Sequence, residues 1–221
     1  MKIRIAVFAT IILALGVTFW YAVHTGDDHL SPKELKALGF APLAKPMQIE
    51  ELELVDHTGA TFGPSNLEGK WTYAFFGFTH CPNFCSETMS LLQQTEQRLS
   101  ETLSPEIFAS FQGMFVSVDP ARDDVKTVGE FVSYFSPNFV GLTGSETAIR
   151  HFATTVGVGY ERMEANTSAL DYLVDHQGHI VVFSPEGSCI GYIKRPHELT
   201  QLARIFRYFA SSSKERQDSS S

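Results

Sequence analysis

The sequence predicts one α/β domain built on a strand–helix–strand unit, preceded by a membrane-spanning helix. Three observations carry the domain. Trp71 to Phe78 is a near-continuous apolar and aromatic run, as expected of a strand covered on both faces. Cys85, Met89, Leu92 and Leu99 then recur at helical spacing, so a helix is expected from about Asn83 to Leu99. Met114 to Val118 is a second buried strand, closed by Asp119-Pro120. Helices are expected from about Val125 to Phe135 and near Glu146 to Val156. Ile180 to Phe183 and Cys189 to Ile193 read as two short strands joined by Pro185-Glu186-Gly187. Pro196 opens the last helix, with Leu199, Leu202, Ile205, Phe206 and Phe209 on one face. Upstream, Ile49 to Val55 alternates apolar and acidic residues, and His57-Thr58-Gly59-Ala60 reads as the turn of an exposed hairpin. This element order is that of a thioredoxin-like fold. The first two core strands should be parallel, with a right-handed crossover. Active groups of such sheets lie beyond the carboxyl ends of the strands, where Cys81 falls.

The chain has 221 residues, enough for one domain with a sizeable core plus an anchor. It is 43% hydrophobic and 19% charged, a globular composition. Its 17 basic and 25 acidic residues give a net charge of -8, which argues against nucleic acid as a partner. Lys2 and Arg4 precede an uncharged apolar stretch from Ile5 to Val23. A membrane-crossing helix needs about 17–25 such residues, whereas the core of a cleavable signal has about 7–15. The stretch ends in Phe19-Trp20-Tyr21, an interfacial aromatic belt, so an uncleaved anchor is expected. Lys2 and Arg4 hold the N-terminus in the cytoplasm, and the rest should lie outside. No Arg-rich transit peptide precedes the span, which favours a bacterial inner membrane with a periplasmic domain. The expected division is 1–23 cytoplasmic tip and anchor, 24–46 linker, 47–210 domain and 211–221 disordered polar tail. Within the linker, Pro32-Lys33-Glu34-Leu35 is able to open a short helix.

The chemistry concentrates in Thr79-His80-Cys81-Pro82-Asn83-Phe84-Cys85. Pro82 suits the first position of a helix, which places Cys81 near the helix N-cap. Unpaired N–H groups there favour a thiolate. Residues four apart lie about 6 Å apart on one helix face, so both sulfurs reach a single metal ion. The same separation lies within the roughly 4.4–6.8 Å range of a disulfide. Geometry alone leaves a metal site and a thiol–disulfide switch both open. A purely structural disulfide closing so short a loop stabilises least.

His176, in Asp175-His176-Gln177-Gly178, reads as a polar break before the strand from Ile180 to Phe183. A loop entering that strand is able to lie over the cysteine helix. Two thiolates and one imidazole form a soft, low-coordinate site that suits Cu(I). Zinc is the chemical competitor, but a structural zinc site wants four ligands. Other residues carry weaker signals. Cys189 reads as strand packing, and His80 faces away from the metal while tuning the site electrostatically. His179 is directed elsewhere by strand alternation. Met114 and Met163 are better read as core than as thioether ligands, and Asn166-Thr167-Ser168 matches a glycosylation acceptor with no consequence in most periplasms.

The run Phe75-Phe76-Gly77-Phe78-Thr79-His80-Cys81-Pro82-Asn83-Phe84-Cys85 resembles the signature of the Sco/SenC family. Val116-Ser117-Val118-Asp119-Pro120-Ala121-Arg122-Asp123 and Asp171-Tyr172-Leu173-Val174-Asp175-His176 resemble its second and third blocks. The resemblance covers about residues 47–210. It implies a membrane-tethered copper protein that helps assemble the dinuclear copper centre of cytochrome c oxidase subunit II. It carries the copper-ligand role onto Cys81, Cys85 and His176, with Asp175 orienting or tuning the histidine. The family often has Pro after the second cysteine; here Ser86 stands there and leaves the ligands intact. A metallochaperone is the leading expectation. A thiol–disulfide oxidoreductase, with Cys81 as nucleophile and Cys85 resolving, is the second. A redox or copper sensor is the third.

Overall fold

The structure, a computed structural model, describes residues 30–82, 84–164, 172–176 and 178–218, and Gly16 in isolation; at 162–164, 172–176 and 213–218 it describes the backbone. Apart from Gly16, the expected anchor at 5–23 lies outside the described residues, as do the glycosylation-like Asn166-Thr167-Ser168 and Asn83. Among the described residues no helix is long and apolar enough to cross a membrane.

Strand β4 (Trp71–Gly77) and strand β5 (Phe111–Ser117) are buried at every position. Each is an apolar run because helices cover both faces of the sheet. They pair in parallel, from Trp71 opposite Phe111 to Gly77 opposite Ser117. That register ends both strands at the same height. It sets the loop carrying Cys81 beside the loop from Val118 to Asp124, and the Val118 N–H donates to the Gly77 carbonyl at 2.8 Å. Helix α2 (Phe84–Thr102) connects them and buries Cys85, Thr88, Met89, Leu92, Thr95 and Leu99 along one stripe.

Phe75 and Phe76 alternate to opposite faces of the sheet. The Phe75 ring meets Phe84 of α2 at 5.7 Å, and the Phe76 ring meets Phe152 of helix α5 (Glu146–Thr155) at 5.4 Å. On the Phe75 side, Phe115 packs on Phe131 of helix α4 (Val125–Phe135) at 4.7 Å. There too Phe111 meets Phe206 of helix α6 (Leu199–Asp218) at 5.3 Å. Helix α4 is capped by Asp124, whose side chain accepts from the Thr127 N–H.

With β1 (Phe40–Gln48), β2 (Leu54–Asp56), β3 (Thr61–Phe62), β6 (Val140–Thr143), β9 (Ile180–Phe183) and β10 (Ser188–Ile193), the sheet is a mixed eight-stranded one in the order β1-β10-β9-β4-β5-β6-β2-β3. Strands β9 (Ile180–Phe183) and β10 (Ser188–Ile193) form the expected hairpin, antiparallel to β4 through β9. Strands β2 (Leu54–Asp56) and β3 (Thr61–Phe62) form the other, its turn fixed by Asp56 accepting from the Thr58 and Ala60 N–H groups. Helix α3 (Pro105–Phe108) is a single turn before β5.

The structure departs from the sequence reading at four places. The stretch read as linker contains, besides the short helix expected at Pro32 (α1, Pro32–Ala37), strand β1 (Phe40–Gln48), which pairs with β10 at the sheet edge. Pro42 and Pro46 would break a central strand, but an edge strand tolerates proline where the missing N–H faces solvent, and the register shifts between Pro42 and Met47. Strand β6 (Val140–Thr143) is too short to show a pattern in the sequence. Asp175 and His176 do not lie in a loop: they end strand β8 (Tyr172–His176), paired with strand β7 (Tyr160–Glu164) in a separate two-stranded sheet. Helix α6 starts at Leu199 rather than Pro196 and continues through most of the stretch read as a tail.

Candidate metal centre

Beyond Gly77 the chain turns, with the Cys81 N–H donating to the Phe78 carbonyl at 3.3 Å. Helix α2 begins immediately afterwards, and the Cys85 N–H donates to the Cys81 sulfur at 3.4 Å. A helix N-terminus thus directs one of its N–H donors at Cys81, although the helix starts at Phe84 rather than at Pro82, so Cys81 precedes the cap instead of forming it. None of the three cysteines forms a disulfide. Cys81 is part-exposed, whereas Cys85 is completely buried. Burial pushes the Cys85 thiol well above its ordinary range; Cys81 and the Asp123 carboxylate add to this, and a backbone hydrogen bond from Phe78 opposes it.

The floor under Cys85 exists because residue 77 is glycine. A Cβ there would lie 2.8 Å from the Cys85 sulfur and 2.8 Å from the Phe75 ring. Gly77→Ala is therefore expected to cost about 1–3 kcal/mol through overpacking and to displace the buried sulfur. Denaturant unfolding of the apoprotein measures this; an unchanged midpoint would contradict the packing.

A buried carboxylate braces the cysteine loop from the other strand end. Asp123 is fully buried. Its Oδ2 accepts from the Thr79 N–H at 2.9 Å and from the Ser117 hydroxyl at 2.7 Å, and its Oδ1 accepts from the Thr79 hydroxyl at 2.5 Å. The Asp123 N–H donates to the Asp119 carbonyl, and its own carbonyl accepts from the Thr143 hydroxyl on β6. Asp119, also buried, pairs with the Arg122 guanidinium, which lies 5.6 Å from the Phe78 ring centre. Sequence reasoning gave Asp119 and Asp123 no role. Two acids just past the carboxyl end of a buried strand were the available signal.

His80, which the sequence reading turned away from the metal, is mostly exposed. Its Nδ1 lies 3.0 Å from the Thr79 hydroxyl and 3.7 Å from Asp123 Oδ1.

The structure brings Cys81 and Cys85 together. For His176 it describes the backbone, opposite Tyr160 in β7, and β8 approaches β4. The side chains of His176 and Asp175 lie outside the described residues. Gly178, at a φ of +65°, packs so closely that a Cβ would lie 2.7 Å from the Phe84 ring, and the Arg195 guanidinium stacks on that ring at 3.8 Å. Among the described residues no three His, Cys, Asp or Glu side chains form a group able to hold a metal ion. Cys189 is buried on β10, its thiol pushed up to about 11 by burial, which fits packing. Met114 is buried on β5, and the Met163 side chain lies outside the described residues. Burial, then Lys194 and Arg195, hold the His179 imidazole below its ordinary range, and its Nδ1 has no hydrogen-bond partner among the described residues.

The SCO1/SenC family model matches residues 42–211. The chain is 31% identical over 208 residues to the mitochondrial SCO2 homolog of Danio rerio, covering 93% of this chain and 72% of that protein. Among solved structures, Arabidopsis thaliana ScoI with copper bound superposes with a TM-score of 0.67 at 32% identity, covering 74% of this chain and 99% of that one. Yeast Sco1 with copper bound gives 0.67 at 27% identity, covering 76% and 90%. The mixed α/β architecture is thus the thioredoxin-like one of these proteins. With its paired cysteines beyond β4 and a family match across nearly the whole folded region, this chain belongs to the SCO1/SenC family.

Proposed function

We propose that this chain is a membrane-anchored copper chaperone. It binds copper through Cys81, Cys85 and His176 and helps assemble the dinuclear copper centre of cytochrome c oxidase, with subunit II as acceptor. The observation that carries this reading is the convergence of two unlinked cysteine sulfurs, one buried and one reachable, at the carboxyl end of β4. Thiolate donors in so low a number suit Cu(I) better than magnesium, calcium or a four-ligand zinc. Relatives solved with copper bound share the fold at 27–32% identity. The seat of Gly178 against Phe84 supports His176 as third ligand, because two residues of chain span at most about 7 Å. Asp175 would then orient or tune the imidazole.

In this reading residues 1–23 anchor the chain in a bacterial inner membrane, and residues 47–210 carry out the copper chemistry in the periplasm. Binding is proton-linked. The Cys85 thiol is protonated in the apoprotein at neutral pH, because burial raises its pKa, and copper displaces that proton to solvent. Apparent affinity should therefore fall about tenfold per pH unit of acidification for that one proton. Chelator competition across pH 6 to 8 checks this; a pH-independent affinity would contradict it. Release runs the other way: a partner ligand reaches the part-exposed Cys81 before the buried Cys85.

Copper stoichiometry on the reduced full-length protein tests the reading. About one copper per chain is expected, with loss or weakening in Cys81→Ser and His176→Ala. Near-unit binding that survives His176→Ala unchanged would exclude the histidine. The same exposure pattern favours a second reading, a thiol–disulfide oxidoreductase. Cys81 thiolate would attack a partner disulfide, and Cys85 would resolve the mixed disulfide, oxidising this pair as the partner is reduced. If His176→Ala abolishes cellular function while dithiol exchange stays normal, a redox-only role fails.

A further inference from the structure

We propose that Asp123 is the positioning residue of the metal centre: through Thr79 it fixes the backbone that presents Cys81, and it sets which nitrogen of His80 carries the proton. The proposal rests on the copper reading above. Asp123 is suited to this because it is itself immobile. Its main chain is tied to Asp119 and to Thr143 on β6, and its carboxylate to Ser117 at the end of β5. From that fixed post both hydrogen-bond donors of Thr79 are held, the N–H at 2.9 Å and the hydroxyl at 2.5 Å. Thr79 is two residues from Cys81, and the turn between them leaves little freedom, since the Cys81 N–H is also bonded to Phe78. The Cys81 sulfur can then sit on the Cys85 N–H.

The direction of the hydrogen bonds follows from proton counting. A carboxylate only accepts, so the single hydroxyl proton of Thr79 goes to Asp123 Oδ1. The Thr79 oxygen is left to accept from His80, 3.0 Å away, which puts the proton of a neutral imidazole on Nδ1 and leaves Nε2 as an acceptor.

Asp123→Asn keeps the size and reverses this order. The amide oxygen still accepts from the Thr79 N–H and Ser117, and the NH2 now donates to the Thr79 oxygen. The Thr79 proton turns to His80 Nδ1, and the imidazole proton moves to Nε2. Nitrogen-15 NMR of the full-length apoprotein in detergent, at about pH 8 where an ordinary imidazole is neutral, should show the Nδ1–H tautomer of His80 in the parent and the Nε2–H tautomer in the variant. A chelator competition with Cu(I) should show affinity lowered about tenfold or more in Asp123→Asn. Thr79→Val keeps the backbone donor but cuts the hydroxyl link, and should lose affinity as well. Thr79→Ser should restore it. The double variant should lose no more than Asp123→Asn alone, because both changes cut one path. Should Asp123→Asn fail to fold, the Thr79 pair decides. A parent that binds no copper overturns the copper reading. A parent that binds copper, with Thr79→Val at parental affinity or an Nε2–H tautomer already present, overturns the role of Asp123.

Discussion

Cys85→Ala should abolish tight copper binding while leaving the fold intact. The side chain is fully buried, so its removal deletes roughly one methyl-sized group from the core, a cost of about 1 kcal/mol. The thiolate it supplies has no substitute nearby: among the described residues no group of three metal-ligating side chains exists, and Cys189 sits on β10 in another part of the sheet. Changes around a ligand cost about 10–100-fold in metal affinity, so loss of the ligand itself should exceed about a hundredfold. Competition against a Cu(I) chelator measures the affinity, and circular dichroism measures the fold. Parental affinity in the variant would mean that copper sits elsewhere.

Phe115→Ala should be among the most damaging single changes to stability, by about 3–5 kcal/mol. Phe115 is fully buried in β5, with Phe131 of α4 at 4.7 Å and Phe75 of β4 at 6.5 Å. It also borders the site: a Cβ on Gly77 would lie 3.2 Å from its ring and 2.8 Å from the Cys85 sulfur. A domain has about 5–15 kcal/mol in total, so the variant should sit near the edge of folding. Urea unfolding reads the loss. A cost below about 1 kcal/mol would mean that α4 collapses into the space, and that this aromatic layer does not support the metal centre.

What could be read from the sequence follows from which interactions are local. The helix carrying Cys85 was legible because Met89, Leu92 and Leu99 repeat with it, and β4 and β5 because burial on both faces makes them apolar throughout. Both cysteines were legible as a pair because they lie only four positions apart, with Cys85 in the first turn of α2. Strand β1 was hidden by its own prolines, which only an edge position excuses. Strand β8 was hidden because Asp175 and His176 are polar, and its partner β7 has no signature until paired. Asp123 was the hardest to see. It acts on Thr79 from 44 residues away, across a parallel register that ends two strands together. No spacing rule reports a bond of that kind, although the run Asp119 to Asp123 beyond a buried strand marked the place.

Copper K-edge X-ray absorption on the reduced, loaded full-length protein, set beside His176→Ala, tests the central claim most directly. The account requires two sulfur neighbours and one imidazole nitrogen around copper, with the nitrogen shell lost in the variant and both sulfurs retained. A metal shell without sulfur, or an imidazole signal that persists unchanged in His176→Ala, would contradict it.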